Sequence, residues 1–170
     1  MRILAIDPGN IESGFAVIEM PDFKLIDFGK KENKELLEMV RSYFFDGWER
    51  VERYFKINKF AIEMIASYGM AVGKDVFETC VWIGQLKEAI IREGEEVAFV
   101  YRKEEKIALC GSLKAKDSNI RQALIDRYAK FDFKTGKGTK KNQDTFYGVS
   151  KDAWQAIAVG VTYWEEQCKN

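Results

Sequence analysis

The spacing of hydrophobic and polar positions changes along the chain, and it predicts the elements of secondary structure. Short apolar runs at 2–6 and 60–62 are typical of strands that are buried on both faces, and each leads into a carboxylate, Asp7 or Glu63. Further strands are predicted at 15–18, 23–28 and 97–101. Because turn-forming residues at 8–10 and 21–22 separate the first three strands, we expect these strands to be antiparallel.

Apolar residues recur at helical spacing in four segments, at about 34–55, 75–93, 117–130 and 151–167. Asn33, Asp75 and Ser150 are suitable N-cap residues, and Glu78 completes a capping-box pattern after Asp75. The order βββαβαβαα predicts an α/β fold with a mixed five-stranded sheet and helices on both faces.

The helix predicted at 75–93 carries apolar residues over a wider surface than contact with one sheet requires. Two interpretations are open. Part of this surface meets a second subunit, or the whole helix is deeply buried.

Length and composition indicate a globular chain that forms a single domain over residues 1–170. Of its 170 residues, 46% are hydrophobic and none is histidine, which excludes Ser-His-Asp triads and histidine zinc sites. Cys80, Cys110 and Cys168 are widely spaced and odd in number, which predicts reduced, mostly buried thiols in a cytoplasmic protein. We expect neither a signal peptide nor a membrane span, because Asp7 comes too early and no apolar stretch is long enough.

The charges balance overall but are distributed unevenly. Residues 102–142 carry twelve Lys and Arg against five Asp and Glu, whereas residues 1–101 carry thirteen against eighteen. A basic segment on a neutral protein predicts one face for a polyanion and an acidic site elsewhere, although a merely solvated surface would give the same pattern. The segment from Lys134 to Asn142 is also polar and rich in glycine, which predicts a mobile loop.

Three carboxylates are candidates for one site. Asp7 and Glu63 end buried strands, and Asp152 lies in the first turn of the last predicted helix. If the first and fourth strands are parallel neighbours, Asp7 and Glu63 emerge at the same edge of the sheet. An all-oxygen cluster selects hard ions such as Mg²⁺ or Mn²⁺, and two such ions would activate a water and stabilise the leaving oxygen of a phosphodiester. Taken singly, the three residues have simpler explanations as a turn former, an exposed strand end and a favourable charge at a helix N-terminus.

Six short motifs follow one another along nearly the whole chain. They are Ile6-Asp7-Pro8-Gly9 with Gly14, Ala61-Ile62-Glu63, Ile83-Gly84-Gln85, Lys106 to Gly111, Lys116 to Ile120, and Asp152-Ala153. In this order they resemble the RuvC-type Holliday-junction resolvases of the RNase H-like superfamily, particularly the small versions of phages and prophages. The resemblance implies an RNase H-like fold and a homodimeric endodeoxyribonuclease that makes paired nicks in four-way DNA junctions, in recombination or phage DNA processing.

The resemblance also implies roles for individual residues. Asp7, Glu63 and Asp152 take the family's metal-ligand positions, with two Mg²⁺ ions per active site and Mn²⁺ as a substitute. Lys106 and Lys116 fall where the family places basic residues near the scissile phosphate, so Lys116 is assigned to catalysis together with the carboxylates. Water would attack phosphorus in line and leave a 5′-phosphate and a 3′-hydroxyl. DNA contacts are assigned to Lys106, Lys114, Lys116, Arg121, Tyr68, Lys137, Lys140 and Lys141.

Two positions depart from the family's motifs. Where the family often has a second acidic residue in the last helix, this chain has Gln155, which leaves open whether Gln155 or Asp144 completes the metal site. Ala66 stands where the family has its junction-probing aromatic residue, and Tyr68 lies two residues further on. We therefore assign base stacking to Tyr68, with a tyrosine of the core as the alternative.

Other functions fit parts of the same pattern. A related RNase H-like nuclease would act on RNA, on hybrids or on other branched DNA. A junction-binding protein without catalytic activity is favoured by Gln155. The segment from Asp7 to Gly14 also resembles the phosphate loop of actin-like ATPases, but these need two such domains and 170 residues hold one.

Overall fold

A computed structural model describes residues 1–45, 57–67, 69 and 71–168. Its strands are β1 (Arg2–Asp7), β2 (Glu12–Glu19), β3 (Lys24–Glu32), β4 (Lys59–Met64) and β5 (Val97–Tyr101). Its helices are α1 (Asn33–Phe45), α2 (Lys74–Ile91), α3 (Arg102–Cys110), α4 (Asp117–Tyr128) and α5 (Lys151–Tyr163), and a π-helical turn, Trp164–Cys168, extends α5.

The strands form one mixed sheet in the order β3-β2-β1-β4-β5. The first three strands are antiparallel, whereas β1, β4 and β5 run parallel to one another. This arrangement confirms the predicted five-stranded mixed sheet, including the parallel pairing of the first and fourth strands. The crossover helices between the parallel strands, α1 and α2, cover one face of the sheet, and α3, α4 and α5, which follow β5, cover the other.

The central strand β1 is buried on both faces, as its apolar run predicts. Ile3 and Ala5 point into one core cluster together with residues of α3, α4 and α5. Leu4 and Ile6 alternate with them and enter a second cluster that is formed with α1 and α2. The period of two along a strand therefore divides the core into two layers.

Helix α5 packs directly on the first two strands because Gly160 has no side chain. A Cβ atom at this position would lie 2.7 Å from Cδ1 of Ile18 and 3.0 Å from Cβ of Ala5. Residues 156–163 of α5 are all buried. This close packing fixes where the first turn of α5, which carries Asp152, meets the sheet.

Helix α3 was not predicted from the hydrophobic pattern. Its sequence, Arg102–Cys110, begins with a run of charged residues, and its last residue is followed by Gly111 with φ of 65°. Glu104 and Glu105 in the first turn and a left-handed glycine at the end are ordinary helix signals. These local signals could have identified the helix where the hydrophobic periodicity did not.

The predicted N-caps do not form through side chains. Helix α2 begins at Lys74 with Gly73 as its N-cap, so the expected capping box of Asp75 and Glu78 is absent there. Ser150 does lie at the N-cap position of α5, but its side chain makes no capping hydrogen bond. The helix predicted at 34–55 begins at Asn33 and is described to Phe45, and the remainder of that prediction lies outside the described residues.

Two further predictions concern the burial of the cysteines and the presence of membrane-spanning helices. The three cysteines are free thiols as predicted, but Cys80 is exposed and Cys110 and Cys168 are half-buried, so the prediction of buried thiols is wrong. Among the described helices, none is both long enough and apolar enough to cross a membrane.

Candidate active site

Asp7 and Glu63 meet because they end neighbouring parallel strands. Ile6 pairs with Ile62 in the register of β1 and β4, so the next residue of each strand emerges at the same sheet edge. The two carboxyl groups are close enough that a side-chain hydrogen bond between them contributes, after burial and nearby charges, to the raised pKa of Glu63. This contact confirms that the sheet brings these two predicted residues together.

Asp152 reaches this edge because Gly14 leaves room for the backbone of α5. Gly14 is the register partner of Asp7 on β2. A Cβ atom on Gly14 would lie 2.4 Å from the main-chain oxygen of Asp152. Asp152 is close enough to raise the pKa of Asp7, although burial is the largest cause of that increase. The side chain of Asp152 itself lies 3.8 Å from Nζ of Lys30.

The loop that follows Asp7 is held by a small polar network. The buried Ser13 hydroxyl accepts hydrogen bonds from Trp82 Nε1 at 2.9 Å and from the Gly9 amide at 3.3 Å, and it donates to Asn33 Oδ1 at 2.7 Å. The Asn33 amide group donates in turn to the Gly9 carbonyl at 3.0 Å. Asn33 therefore fixes the loop after β1 instead of capping α1 through its side chain.

Glu105 is a further acidic residue of this site, and sequence reasoning missed it. It lies in the first turn of α3 and is 0% exposed. Its Oε2 atom accepts a hydrogen bond from Arg102, but its buried Oε1 atom has no hydrogen-bond partner among the residues that the structure describes. Buried carboxylate oxygens nearly always have partners, so this one requires an explanation.

Three carboxyl groups at this edge have raised pKa values. Burial and then the charges of Glu105 and Asp7 raise the pKa of Glu63 to about 9. Burial also raises the pKa of Glu105 to about 8, against the lowering effect of Arg102. The pKa of Asp7 is raised as well, chiefly by burial. The site therefore holds more acidic groups than its surroundings can stabilise in the charged form.

Arg102 is the cation that partly compensates these acids. Its guanidinium group donates to Glu105 and Asp117, and Nη1 also donates to Oε1 of Gln155 at 3.0 Å. The guanidinium charge lowers the pKa of Asp7 and of Glu63. Arg102 thus connects the beginnings of α3, α4 and α5 beside the acidic cluster. The amide oxygen of Gln155 already accepts one of its hydrogen bonds.

The acidic cluster has the donors that a hard cation prefers, although it is not arranged as a finished metal centre. Within the part of the chain that the structure describes, no group of three or more His, Cys, Asp or Glu side chains is placed to hold a metal ion. The donor set is all oxygen, as Mg²⁺ and Mn²⁺ require, and it includes the unpartnered Glu105 oxygen. These residues fit such an ion in their chemistry, and binding would require side chains such as Asp152 to turn away from their present partners.

Asp144 does not take part in the cluster. Both of its carboxylate oxygens accept backbone N–H groups, from Lys130 and Thr145 on Oδ1 and from Phe131 and Asp132 on Oδ2. Burial alone would raise the pKa of Asp144, but these hydrogen bonds outweigh it and hold the pKa well below its ordinary value. The idea that Asp144 completes the site is therefore wrong.

The segment 134–142 is held in place, contrary to the expectation of a mobile loop. The Asp132 carboxylate accepts hydrogen bonds from the Thr135 hydroxyl and from several backbone amides, among them Gly138 at 3.0 Å. Gly136 and Gly138 adopt positive φ angles of 70° and 66°, which these turns require. A Gly- and Lys-rich composition predicted a loop correctly but not its internal hydrogen bonds.

The predicted DNA-contacting residues that the structure describes differ in their exposure and surroundings. Arg121 and Lys137 line a groove of about 580 Å³ that also contacts Gln155 and Trp154. Lys106 is half-buried next to Glu105, whereas Lys114, Lys116, Lys140 and Lys141 are exposed. Tyr68 lies outside the described residues.

Lys116 lies next to Asp117, which is bonded to Arg102. Lys116 is the N-cap of α4, and its backbone N–H donates to Oδ1 of Asn119 at 2.9 Å. Lys116 therefore stands at the border of the acidic cluster, and among the described residues no ion pair engages its side chain.

Two solved structures of RuvC from Thermus thermophilus match the chain over nearly its whole length. One of them, in complex with a Holliday junction substrate, has a TM-score of 0.65 at 17% sequence identity and covers 96% of this chain and 92% of the RuvC chain. The other has a TM-score of 0.64 at 16% identity and covers 96% of this chain and 93% of that one. The chain has the RuvC fold.

The RuvC fold confirms the RNase H-like α/β architecture that the motifs imply. No family model matches the chain, and no curated protein matches it. The similarity to RuvC is therefore one of structure at low sequence identity. Assignments of individual residues rest on the geometry of this chain.

Proposed function

We propose that the chain is a metal-dependent endodeoxyribonuclease that nicks four-way DNA junctions in the cytoplasm, in recombination or phage DNA processing. The observation that carries this proposal is the meeting of Asp7 and Glu63 at one edge of a sheet with the RuvC fold, next to the first turn of α5, which carries Asp152. A RuvC of this fold has been solved with a Holliday junction substrate, which supports branched DNA as the partner.

Asp7, Glu63 and Asp152 are the residues that would hold Mg²⁺ or Mn²⁺, with two ions as the expected number. When bound, such ions lower the pKa of an attacking water and stabilise charge on the leaving oxygen. A carboxylate that holds an ion must be deprotonated, so the raised pKa of Glu63 would make ion binding weaker at low pH. Trp82 and Ser13 keep the loop after Asp7 fixed, which holds that carboxylate in place.

Basic side chains would bind the DNA backbone on both sides of the acidic edge. Lys116 and Lys106 lie on the α4 and α3 sides of the cluster and would hold phosphate oxygens next to the reacting bond. Further along, Lys137 and Arg121 line the groove between α4 and the 130–149 segment. Arg121 lies 5.0 Å from the ring of Trp154, which orients its guanidinium group. Lys114, Lys140 and Lys141 would add long-range attraction for the polyanion.

An exposed apolar face of α2 supports a homodimer. Phe77 and Val81 are each 63% exposed, and Ile91 is 50% exposed. These residues share one helical face with the exposed Gly84, where a Cβ atom would meet nothing within 4 Å. Among the described residues, no contact within one copy therefore requires glycine at this position, whereas close approach of a second helix would. Of the two interpretations of this helix, complete burial is wrong for this face.

The dimer can be tested by placing a charge on this face. Val81→Asp should convert a dimer into a monomer at micromolar concentration, because a desolvated carboxylate opposes association. Leu113→Asp, at an apolar residue that is 60% exposed between α3 and α4, is the matched control and should leave the dimer intact. Sedimentation equilibrium reports both, and a wild-type protein that is monomeric at high micromolar concentration would refute the assembly.

A second candidate function is junction binding without cleavage. It is favoured by Arg102, which lies among the acids and occupies Gln155, the position where the family often has a carboxylate. A guanidinium group in a nuclease site would compete with a metal ion for the same oxygens.

A cleavage assay separates these functions and the choice of substrate. The protein is incubated with a synthetic four-way junction, a duplex, a flap and an RNA–DNA hybrid, each with Mg²⁺, Mn²⁺ or a chelator. We expect paired nicks in the junction that require the metal and slower cleavage of the other substrates. Tight junction binding without cleavage in either metal would support the second function, and preferential cleavage of the hybrid would make the protein an RNase H-like nuclease on another substrate.

A further inference from the structure

Position 155 cannot easily supply the oxygen that the site lacks. Gln155 carries no charge, and its amide oxygen already accepts Nη1 of Arg102 at 3.0 Å. A divalent cation held by carboxylates is stabilised mainly by their negative charge. The acid missing at this position must therefore be replaced by another residue if the site is to bind a cation as strongly.

Glu105 meets the requirements for that replacement. It is completely buried, and its Oε1 atom has no hydrogen-bond partner. After burial, the charge of Glu105 is the largest cause of the raised pKa of Glu63, ahead of the charge of Asp7. The charge of Asp7 in turn adds to the raised pKa of Glu105. A buried carboxylate beside Glu63 with one unused oxygen has the chemistry of an unoccupied ligand.

Arg102 connects the two positions. The same nitrogen, Nη1, donates to Glu105 and to Gln155, so the two side chains converge on one point. A carboxylate at either position could therefore face the same guanidinium group. Burial raises the pKa of Glu105, and the guanidinium group of Arg102, which pairs with this carboxylate, acts against that increase.

We propose that Glu105 supplies the fourth carboxylate of the cation site, in place of an acid at position 155, and that Arg102 holds it until a divalent ion binds. The proposal rests on the proposed metal-dependent function. It assigns to α3 a ligand for a hard divalent cation such as Mg²⁺ or Mn²⁺. Gln155 then serves to position Arg102 rather than to bind the ion.

The test moves a carboxyl group from one partner of Arg102 to the other. Mn²⁺ affinity is measured by isothermal titration calorimetry on the full chain without DNA, for the wild type, Glu105→Gln, and the double variant Glu105→Gln/Gln155→Glu. Glu105→Gln should weaken Mn²⁺ binding by about tenfold or more, as losses around metal sites typically do. The double variant keeps the net charge and should recover most of the affinity. Gln155→Ala should change it by less than about threefold, because the wild-type amide is not a ligand.

The outcomes distinguish this inference from the proposed function. If Asp7→Asn loses Mn²⁺ binding while Glu105→Gln keeps wild-type affinity, the cation site stands and the role of Glu105 is refuted. If the wild type itself binds no Mn²⁺, both proposals fail. A purely structural ion pair predicts a lower melting temperature for Glu105→Gln with unchanged affinity and no recovery in the double variant. If Glu105→Gln does not fold, Glu105→Asp replaces it in the test. This variant keeps the charge but shortens the side chain by one methylene group. Wild-type Mn²⁺ affinity in Glu105→Asp would overturn the proposal.

Discussion

Two groups of carboxylates in this molecule are stabilised in opposite ways. Asp144 is buried, and four backbone N–H groups donate to its two oxygens. At the acidic edge, Glu63 and Glu105 have mainly each other, Asp7 and Arg102 as neighbours, and one Glu105 oxygen has no partner. The pKa of Asp144 is held below its ordinary value, whereas burial and mutual repulsion raise the pKa values of Glu63 and Glu105.

The difference separates a structural carboxylate from a functional one. A residue that stabilises the fold has its hydrogen-bonding capacity filled by its own chain. Backbone N–H groups do not surround the acids at the sheet edge in this way, and burial raises their pKa values. Under the proposed function, their oxygens would be available to a divalent cation.

Asp7→Asn should reduce junction nicking by on the order of 10³-fold or more, because it removes a charge on which both cation binding and charge stabilisation depend. Junction binding should be retained, since the basic residues are untouched. Gel-based nicking and binding assays on the same preparation check both expectations. Cleavage at the wild-type rate would refute the catalytic assignment.

Asp144→Asn should have the opposite effect to Asp7→Asn, because it should lower the stability of the fold rather than impair the active site. The asparagine amide keeps one acceptor oxygen, but its NH₂ group would face the backbone N–H groups that donate to the second carboxylate oxygen. We therefore expect the free energy of unfolding to decrease by about 2–3 kcal/mol. Urea denaturation measures this loss. Asp7→Asn is the matched comparison, and it should leave stability unchanged or higher because it relieves repulsion. If both variants lost the same amount of stability, the distinction between Asp144 and the acids at the sheet edge would be wrong.

Gly14→Ala should affect the site without changing any acid. The added Cβ would lie 2.4 Å from the main-chain oxygen of Asp152, so the first turn of α5 must move away from β2. We expect roughly tenfold slower nicking and a loss of about 1–3 kcal/mol in stability. Gly73→Ala, where a Cβ meets nothing within 4 Å, is the control and should be close to wild type.

The pH dependence of stability should reflect the opposite pKa shifts of the two groups of carboxylates. Because the pKa of Glu63 rises from 4.5 in its ordinary state to about 9 in the folded chain, the metal-free protein should lose stability as the pH increases between these values. Asp144 acts in the other direction, since its lowered pKa gives stability above 3.8 that is lost as the pH falls. Melting temperatures across this range in a chelator test the signs. Glu63→Gln should flatten only the alkaline side, and an unchanged slope would contradict the assigned environment.

Much of the framework could be predicted because its signals are local. Apolar runs that end on Asp7 and Glu63 identify β1 and β4, and a parallel pairing then brings the two carboxylates together. Gly14 belongs to the same pattern, since only its missing side chain admits the backbone of Asp152.

Other parts of the site depend on tertiary contacts that no local pattern encodes. Glu105 lies within a charged run that resembles an exposed segment, yet it is completely buried beside Arg102. The charge of Asp144 likewise gives no indication that backbone amides surround it. Hydrophobic periodicity finds helices by their apolar face, so the short and charged α3 and its acidic residue were missed together.

The most direct test of the account is a crystal structure of the protein soaked in Mn²⁺, with anomalous scattering used to locate the ions. We predict an anomalous peak at roughly 2 Å from carboxylate oxygens of Asp7 and Glu63, at the sheet edge where β1 and β4 end. A peak elsewhere, or none at this edge in a protein that still nicks junctions with Mn²⁺, would contradict the central claim.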